Sequence, residues 1–376
     1  MSSDYNEMPL GNLLDFLNGK EVEFDEAGDF PVYGSNGVIG LSKKNNYEDA
    51  IILGRVGAYC GSVARCRGKF WSSDNTIVVY PKDGYDKEFA YYLLLNTPLN
   101  QFAGGAAQPL ITHKILKPIQ VTVPDLPGQK KIAGILLPYD DLIANNRRRI
   151  TLLEEAARQL YQEWFVRLRF PGYENTMIVD GVPKGWECGT VADYYDTSSG
   201  GTPSRKVPDY YDGDVPWVKT QELLNGFIID TDEKITDGAL KKSSAKLFPK
   251  LTVLVALYGA TIGELGILGL DAATNQACCA LLPKDRRSHF IHAYLFLENN
   301  RNRLINLAAG AAQNNISQQI VRAFPMVMPS EEVIHKFVSS LEPTFELLLN
   351  LQKQNRKLSD ARDLLLPRLM SGEITV

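Results

Sequence analysis

The chain has 376 residues, with 44% hydrophobic and 22% charged residues and a formal net charge of −4. That length allows two domains rather than one, the apolar content excludes a disordered chain, and the acidic balance argues against a nucleic-acid binder working alone through a basic surface. Cys60, Cys66, Cys188, Cys278 and Cys279 are an odd set without paired spacing, so free thiols in a reducing compartment are expected, and with them a cytoplasmic protein.

In chain order, residues 1–10 carry no basic-then-apolar leader. Residues 30–33 and 50–53 read as strands, Gly34-Ser35-Asn36-Gly37 as a tight turn, and 76–80 as a buried strand closed by Pro81. A short helix at 89–95 leads to the Gly104-Gly105 break. From Pro138, the positions Tyr139, Ile143, Asn146, Ile150, Leu153, Ala157, Leu160 and Trp164 step by four and three, the seam of a coiled coil, until Pro171-Gly172. The second half repeats the plan. Trp217-Val218, 252–258 and 277–282 supply strands, and 290–307 a helix. A second seam follows: Thr344, Leu348, Leu351, Asn355, Leu358, Arg362, Leu365 and Leu369, closed by Pro367 and Gly372. The most apolar window, 251–270, is broken by five glycines or acids, among them Gly259, Gly263 and Glu264, which predicts strand–turn–strand rather than a membrane span.

The repetition is exact in register over the helices. A fixed offset of 205 positions carries Gly105-Ala106-Ala107-Gln108 onto Gly310-Ala311-Ala312-Gln313, Ile111 onto Ile316, Pro124 onto Pro329, Pro138 onto Pro343 and Leu160 onto Leu365. The globular parts match with drift: Gly57-Ala58-Tyr59-Cys60-Gly61 with Gly259-Ala260-Thr261-Ile262-Gly263, and Asp74-Asn75-Thr76 with Thr274-Asn275-Gln276. Pro138 and Pro343 are read as marking the helix starts, with Asp140, Asp141 and Glu346 complementing the positive dipole end. About 25–30 helical residues in each copy would make a rod on the order of 40 Å. A single apolar stripe must be covered, and the other copy's stripe is the expected cover.

The expected fold is therefore α+β: two similar mixed, strand-rich globular domains separated by two long helices forming an antiparallel, pseudo-two-fold coiled coil. The boundaries are 1–126 for the first domain, 127–170 for the central helical spacer, 171–330 for the second domain and 331–376 for the C-terminal helix. Ile143, Asn146, Ile150, Leu153 and Leu160 are expected to face Leu348, Leu351, Leu358, Arg362 and Leu365, with Asn146 meeting Arg362 near the midpoint.

The sequence has no Asn-Pro-Pro-aromatic motif, no phosphate loop, no His-Glu-x-x-His and no Gly-x-Ser-x-Gly elbow. Pro208-Asp209 with Asp232-Glu233-Lys234 satisfies a degenerate nuclease pattern. His289 and His292 with Cys278 and Cys279 do not have the spacing of a tetrahedral metal site. What remains are polar and basic loops suited to phosphates and base edges. In the first domain these carry Ser35, Asn36, Lys43, Lys44, Arg55, Tyr59, Arg65 and Arg67. In the second they carry Thr202, Ser204, Arg205, Lys219, Lys242 and Tyr258, beginning at Ser199-Gly200-Gly201-Thr202-Pro203-Ser204.

Taken with the domain–helix–domain–helix order, four motifs resemble the DNA-specificity subunit of type I restriction–modification systems. They are Gly310-Ala311-Ala312-Gln313-Asn314-Asn315-Ile316-Ser317 with its copy at 105–111, Ile132-Ala133-Gly134-Ile135-Leu136 running into Asp141-Leu142-Ile143, the Ser199–Ser204 loop, and Leu365-Leu366-Pro367-Arg368-Leu369-Met370-Ser371-Gly372. The resemblance implies two target-recognition domains, each reading half of a bipartite site in double-stranded DNA. It also implies helices that set the spacer and dock two methyltransferase subunits, with motor and endonuclease subunits able to join and no membrane partner. On this reading the chain is not an enzyme and binds no cofactor or metal; S-adenosylmethionine, ATP and Mg²⁺ belong to partner subunits. The alternatives are a metal-dependent nuclease and a coiled-coil protein scaffold.

Overall fold

The computed structural model describes residues 5–105, 108–309 and 315–375. Ala106, Ala107 and the stretch 310–314 of the repeated motif lie outside the described residues. The chain divides into two compact units, residues 1–143 with 357–376, and residues 144–356. Among the described residues no helix is long and apolar enough to cross a membrane, and all five cysteines are free thiols.

In the first unit, β1 (Leu14–Asn18), β2 (Phe30–Gly34), β3 (Gly37–Ser42), β4 (Tyr47–Gly54), β5 (Val63–Ser72) and β6 (Thr76–Pro81) form one sheet in the order β1-β6-β4-β5-β2-β3. Every neighbour pair is antiparallel except β2 with β5. The apolar run of β4 is continuous because both faces are covered. Ile51 and Leu53 face α1 (Lys87–Asn96) through Phe89, Leu93 and Leu94, while Ala50 and Ile52 pack with Phe70 and Val78. Asp86 caps α1, its carboxylate accepting from Phe89 N–H at 2.9 Å.

The long helices α2 (Leu126–Tyr161) and, at the end of the chain, Glu331–Met370 run for 36 and 40 residues, longer than the expected 25–30. Both start before the prolines that were expected to mark their beginnings. Asp125 caps α2 by accepting from Gly128 N–H at 3.0 Å, so Pro138 lies inside the helix and Pro343 inside its counterpart. Each proline removes one helical hydrogen bond, a cost that burial of the apolar stripe outweighs. In the first unit Ile132, Ala133 and Leu136 of α2 and Leu366, Leu369 and Met370 of the last helix enter the same core as the sheet.

In the second unit, β7 (Tyr195–Ser199), β8 (Val215–Val218), β9 (Gly226–Ile228), β10 (Val253–Ala256), β11 (Leu265–Leu268), β12 (Ala272–Thr274) and β13 (Cys278–Pro283) precede α3 (Phe290–Ala309) and α4 (Glu331–Met370). The larger sheet has the order β7-β13-β10-β11-β9. Lys234–Ile235, β8, β12 and Leu247–Phe248 make a second one. The expected strand–turn–strand at 251–270 is β10 and β11, paired antiparallel. Cys278 and Cys279, adjacent on β13, point to opposite faces and enter different cores, as the two-residue period of a strand requires.

The duplication is visible in the sheets. β1-β6-β4-β5 and β7-β13-β10-β11 have the same order and the same antiparallel sense. At the end of β1, a Cβ on Gly19 would lie 1.8 Å from the Ser73 carbonyl oxygen, and at the end of β7 a Cβ on Gly200 would lie 2.1 Å from that of Thr274. No other residue fits either crossing.

Helix pairing is antiparallel in both units, in a register displaced from the expected one. Asn146 Nδ2 donates to Gln354 Oε1 at 3.4 Å, and Arg362 donates instead to Asp140. The Asn146–Arg362 layer is not formed, because a carboxylate is a far better partner for a guanidinium than an amide. Ile143, Asn146, Leu348 and Leu351 are buried; Ile150, Leu153 and Leu160 are half-buried against the second core and Leu365 against the first. Leu358 is half-buried.

Asp140 ties the first unit together. Its carboxylate accepts from Tyr92 Oη at 2.7 Å, from Arg65 Nη2 at 3.4 Å and from Arg362, with side-chain exposures of 11% for Asp140 and 15% for Arg65. Burial, reinforced by the carboxylate, pushes the Tyr92 phenol up. Asp140→Ala should cost about 1–3 kcal/mol, because Arg65 and Arg362 each retain a second acid while Tyr92 loses its acceptor. Removing the exposed Glu332–Lys336 pair should leave the urea midpoint nearly unchanged, because solvent screens it. Urea midpoints of the two variants test the difference.

Candidate nucleic-acid interface

At one end of the first sheet, four loops are fastened to one another by backbone and serine hydrogen bonds. The β2–β3 turn presents Ser35, whose Oγ donates to the Asn75 carbonyl at 2.8 Å and accepts from Val56 N–H at 3.2 Å. Ser62 Oγ donates to the Ser35 carbonyl at 2.7 Å. Arg55 N–H donates to the Asn75 carbonyl at 2.9 Å, and the Arg55 carbonyl accepts from Ile111 N–H at 2.9 Å. Gly57 N–H reaches Pro109 at 3.0 Å. These bonds leave Asn36, Tyr59, Asp74, Asn75 and Gln108 exposed around a half-buried Arg55.

The second unit builds the same frame. Leu257, which the repeat aligns with Arg55, donates its N–H to the Ala277 carbonyl at 2.8 Å and accepts from Ile316 N–H at 2.8 Å. Gly57 and Gly259 have φ of +75° and +91°, and Gly61 and Gly263 +88° and +78°, so each copy needs glycine at both turns. The side chains differ. Gly201 N–H donates to the Thr274 carbonyl at 2.9 Å, Trp217 Nε1 donates to the Gly201 carbonyl at 3.0 Å, and the Thr202 and Gln276 side chains are bonded to each other. The Arg205 guanidinium lies 3.9 Å from the Tyr211 ring centroid and pairs with Glu233 at 2.6 Å; Glu233 also holds Lys219 at 3.0 Å. The two cations keep the Glu233 carboxyl below its ordinary range, the Arg205 hydrogen bond contributing most.

A sequence profile of the family described as the type I restriction modification DNA specificity domain matches residues 2–155 and 183–357. The chain belongs to this family. It is 26% identical to the type I restriction enzyme MjaIX specificity subunit of Methanocaldococcus jannaschii, covering 84% of this chain and 76% of that one. It is also 26% identical to the HindI specificity subunit of Haemophilus influenzae, over 76% of this chain and 77% of that one. The S subunit of a type I restriction–modification system from M. genitalium superposes with a TM-score of 0.65 at 16% identity, covering 98% of this chain and 96% of that one, a likeness of fold.

Of the residues singled out from sequence in this specificity-family chain, Ser35, Asn36, Arg55 and Tyr59 join the loop cluster of the first unit, and Thr202, Ser204, Arg205 and Lys219 gather around the polar loop of the second. Ser204 forms a turn, its carbonyl accepting from Val207 N–H at 3.1 Å. Lys242 is exposed at the end of the helix Asp237–Lys242, two residues before Ser244, which packs on Gly201. Tyr258 is half-buried against the second core. Four residues lie elsewhere. Lys43 and Lys44 sit at the opposite end of β3 from the turn, paired with Asp25 at 2.7 Å and Glu23 at 3.3 Å. Arg65 and Arg67 hold β5 to α1 and α2: Arg65 through Glu88 and the Tyr91 ring of α1 and Asp140 of α2, Arg67 through Asp141 of α2 at 2.7 Å. Their acids come from distant positions in the chain, which is why the basic run of β5 read as free charge. Asn75, Gln108 and Gln276 are the exposed amides that sequence reasoning passed over. The matched Asp74-Asn75-Thr76 and Thr274-Asn275-Gln276 were the available signal.

Among the described residues no three His, Cys, Asp or Glu side chains come together as a metal-holding group. Asp209 is exposed in the turn Pro208–Tyr211, and Asp232 lies 3.8 Å from Lys219. Burial pushes the Cys279 thiol up to about 12. His292 is packed among Tyr161, Phe165 and Phe296. Burial, helped by His289, pushes its imidazole from 6.5 down to about 3. The unfolded chain protonates this histidine below about pH 6.5 while the folded chain does not until about pH 3. Its contribution is therefore complete above pH 6.5 and lost as pH falls toward 3. In His292→Phe, stability should fall less steeply across that window, by up to about 1.4 kcal/mol per pH unit, in urea titrations at stepped pH.

Proposed function

We propose that this chain is the non-catalytic specificity subunit of a type I restriction–modification enzyme and that each strand-rich unit reads one half of a bipartite DNA site through the loop cluster at its sheet end. The observation that carries this reading is one backbone frame with two dressings: matching backbone hydrogen bonds at Arg55 and at Leu257 fasten the loops, but the side chains they present differ. A pair of unlike readers on one plan suits two unlike half-sites. Asn36, Asn75, Gln108 and Gln276 offer the paired donor and acceptor that match an adenine edge, and Arg55 the fork that matches guanine. Ser35, Thr202, Ser204, Lys219 and Lys242 suit phosphate contacts.

The long helices set the separation of the half-sites and dock two methyltransferase subunits; motor and endonuclease subunits complete the restricting form. Adenine methylation, ATP hydrolysis and cleavage, with S-adenosylmethionine, ATP and Mg²⁺, belong to those partners. An acidic chain is suited to this arrangement, since partners share the phosphate contacts.

Sequencing the methylated adenines in the host genome defines the bipartite site. The chain assembled with its methyltransferase subunit should then shift a duplex containing that site, and a duplex with either half scrambled should bind at least about 100-fold more weakly. Equal affinity for all duplexes would sink the proposal. Deleting one heptad from both long helices should change the accepted spacer and leave the half-site sequences unchanged, read again from the methylation pattern; the reverse outcome would remove the ruler role.

A further inference from the structure

Between Asp141 and Glu154 the first long helix contains no acidic residue, and neither does the second between Glu346 and Asp360. The bond from Asn146 to Gln354 sets the parts of these windows that belong to the second unit, 144–153 and 347–356, against each other. Arg147, Arg148, Arg149 and Lys353 are all exposed there, and Arg356 pairs with Asp230 at 3.3 Å on its flank. In a chain of net charge −4, this is a zone of one sign.

Ordinary solvated helix faces are laced with opposite charges three or four residues apart. The flanks of these same helices obey that rule, with Glu155–Arg158 at 3.1 Å and Glu332–Lys336 at 2.6 Å. Arg147, Arg148 and Arg149 have no acid at any such position, and Lys353 has Arg356 and Lys357. Arg147, Arg148, Arg149 and Lys353 are exposed with no acid at helical spacing, so an external anion is the partner open to them. Within these windows of the second unit, among the described residues, a single large apolar side chain is exposed, Leu152 at 61%. That is too little for the apolar centre of a protein interface, whereas guanidiniums without apolar company suit phosphate oxygens.

We propose that this acid-free zone is a phosphate-binding surface for duplex DNA, separate from the loops that read bases. The inference rests on the specificity-subunit reading and adds a second, sequence-independent contact to it. Arg147, Arg148 and Arg149 neutralise backbone phosphates and release counterions, so they add affinity and salt dependence without adding preference.

The test is fluorescence anisotropy of the full chain with its methyltransferase subunit on a mixed-sequence duplex and on its own site, titrated with salt. The triple variant Arg147→Ala, Arg148→Ala, Arg149→Ala should lower the slope of log affinity against log salt by about 0.9 for each arginine that contacts a phosphate, and weaken both duplexes by the same factor. The triple arginine-to-lysine variant should restore most of the slope, and circular dichroism should report unchanged helix content for both. An unchanged slope with intact DNA binding would overturn the proposal. So would an unchanged slope with loss of the methyltransferase subunit on size-exclusion chromatography, which would assign the zone to an acidic protein surface. Wild-type complex that binds no duplex at low salt would overturn the specificity reading itself, an outcome distinct from wild type and variant binding alike.

Discussion

The apolar stripe along each long helix governs the structure of both units. A helix with one such stripe cannot remain in water, and its burial outweighs the loss of a hydrogen bond at Pro138 and at Pro343. The stripes serve two purposes at once: they pair with each other, and they complete cores that the sheets leave open. Leu136 and Leu369 belong to the core that contains Ile51 and Phe89; Ala157, Phe337 and Phe345 belong to the one that contains Val255 and Ile291. Sheet and helix are thus fixed by the same burial, and the loops at the sheet ends inherit that rigidity.

Polar groups then choose the register that burial alone leaves open, since Leu and Ile layers tolerate sliding by a turn. Asp140 makes the choice in the first unit by collecting Arg362, Arg65 and Tyr92. Asn146 meets Gln354 in the second, its amide oxygen left without a hydrogen-bond partner among the described residues. The charges that look most available for an anionic ligand in the sequence, Arg65 and Arg67, are spent on this internal fastening. Arg147, Arg148, Arg149 and Lys353, in the middle of the helices, stand exposed instead.

The loop frame lets one fold carry two different sets of exposed side chains. Backbone bonds at Arg55 and Leu257, glycines at 57 and 259 and at 61 and 263, and the closed crossings at Gly19 and Gly200 hold the main chain. None of these constrains which side chain stands at Asn36, Tyr59, Gln108 or Gln276. The exposed side chains can therefore drift while the scaffold stays, which is the pattern the repeat itself displays: strict spacing along the helices, variable spacing in the globular parts.

The sequence by itself determined the duplication, the strand-rich units, the two long helices and the family, because hydrophobic period and a fixed repeat offset are local properties that survive without coordinates. It also placed Ser35, Asn36, Arg55 and Thr202 on loops, since turn chemistry is local as well. Only the tertiary structure decided where the helices begin, which seam residues meet, and which basic residues are already paired. A proline is compatible with a helix start and with a helix interior, and burial of the flanking stripe is what selects the interior. The fates of Arg65, Arg362 and Lys43 depended on carboxylates brought near by folding, Asp140 for the first two and Asp25 for the third. For the two arginines those carboxylates lie far along the chain, and no spacing rule in the sequence encodes such a distance.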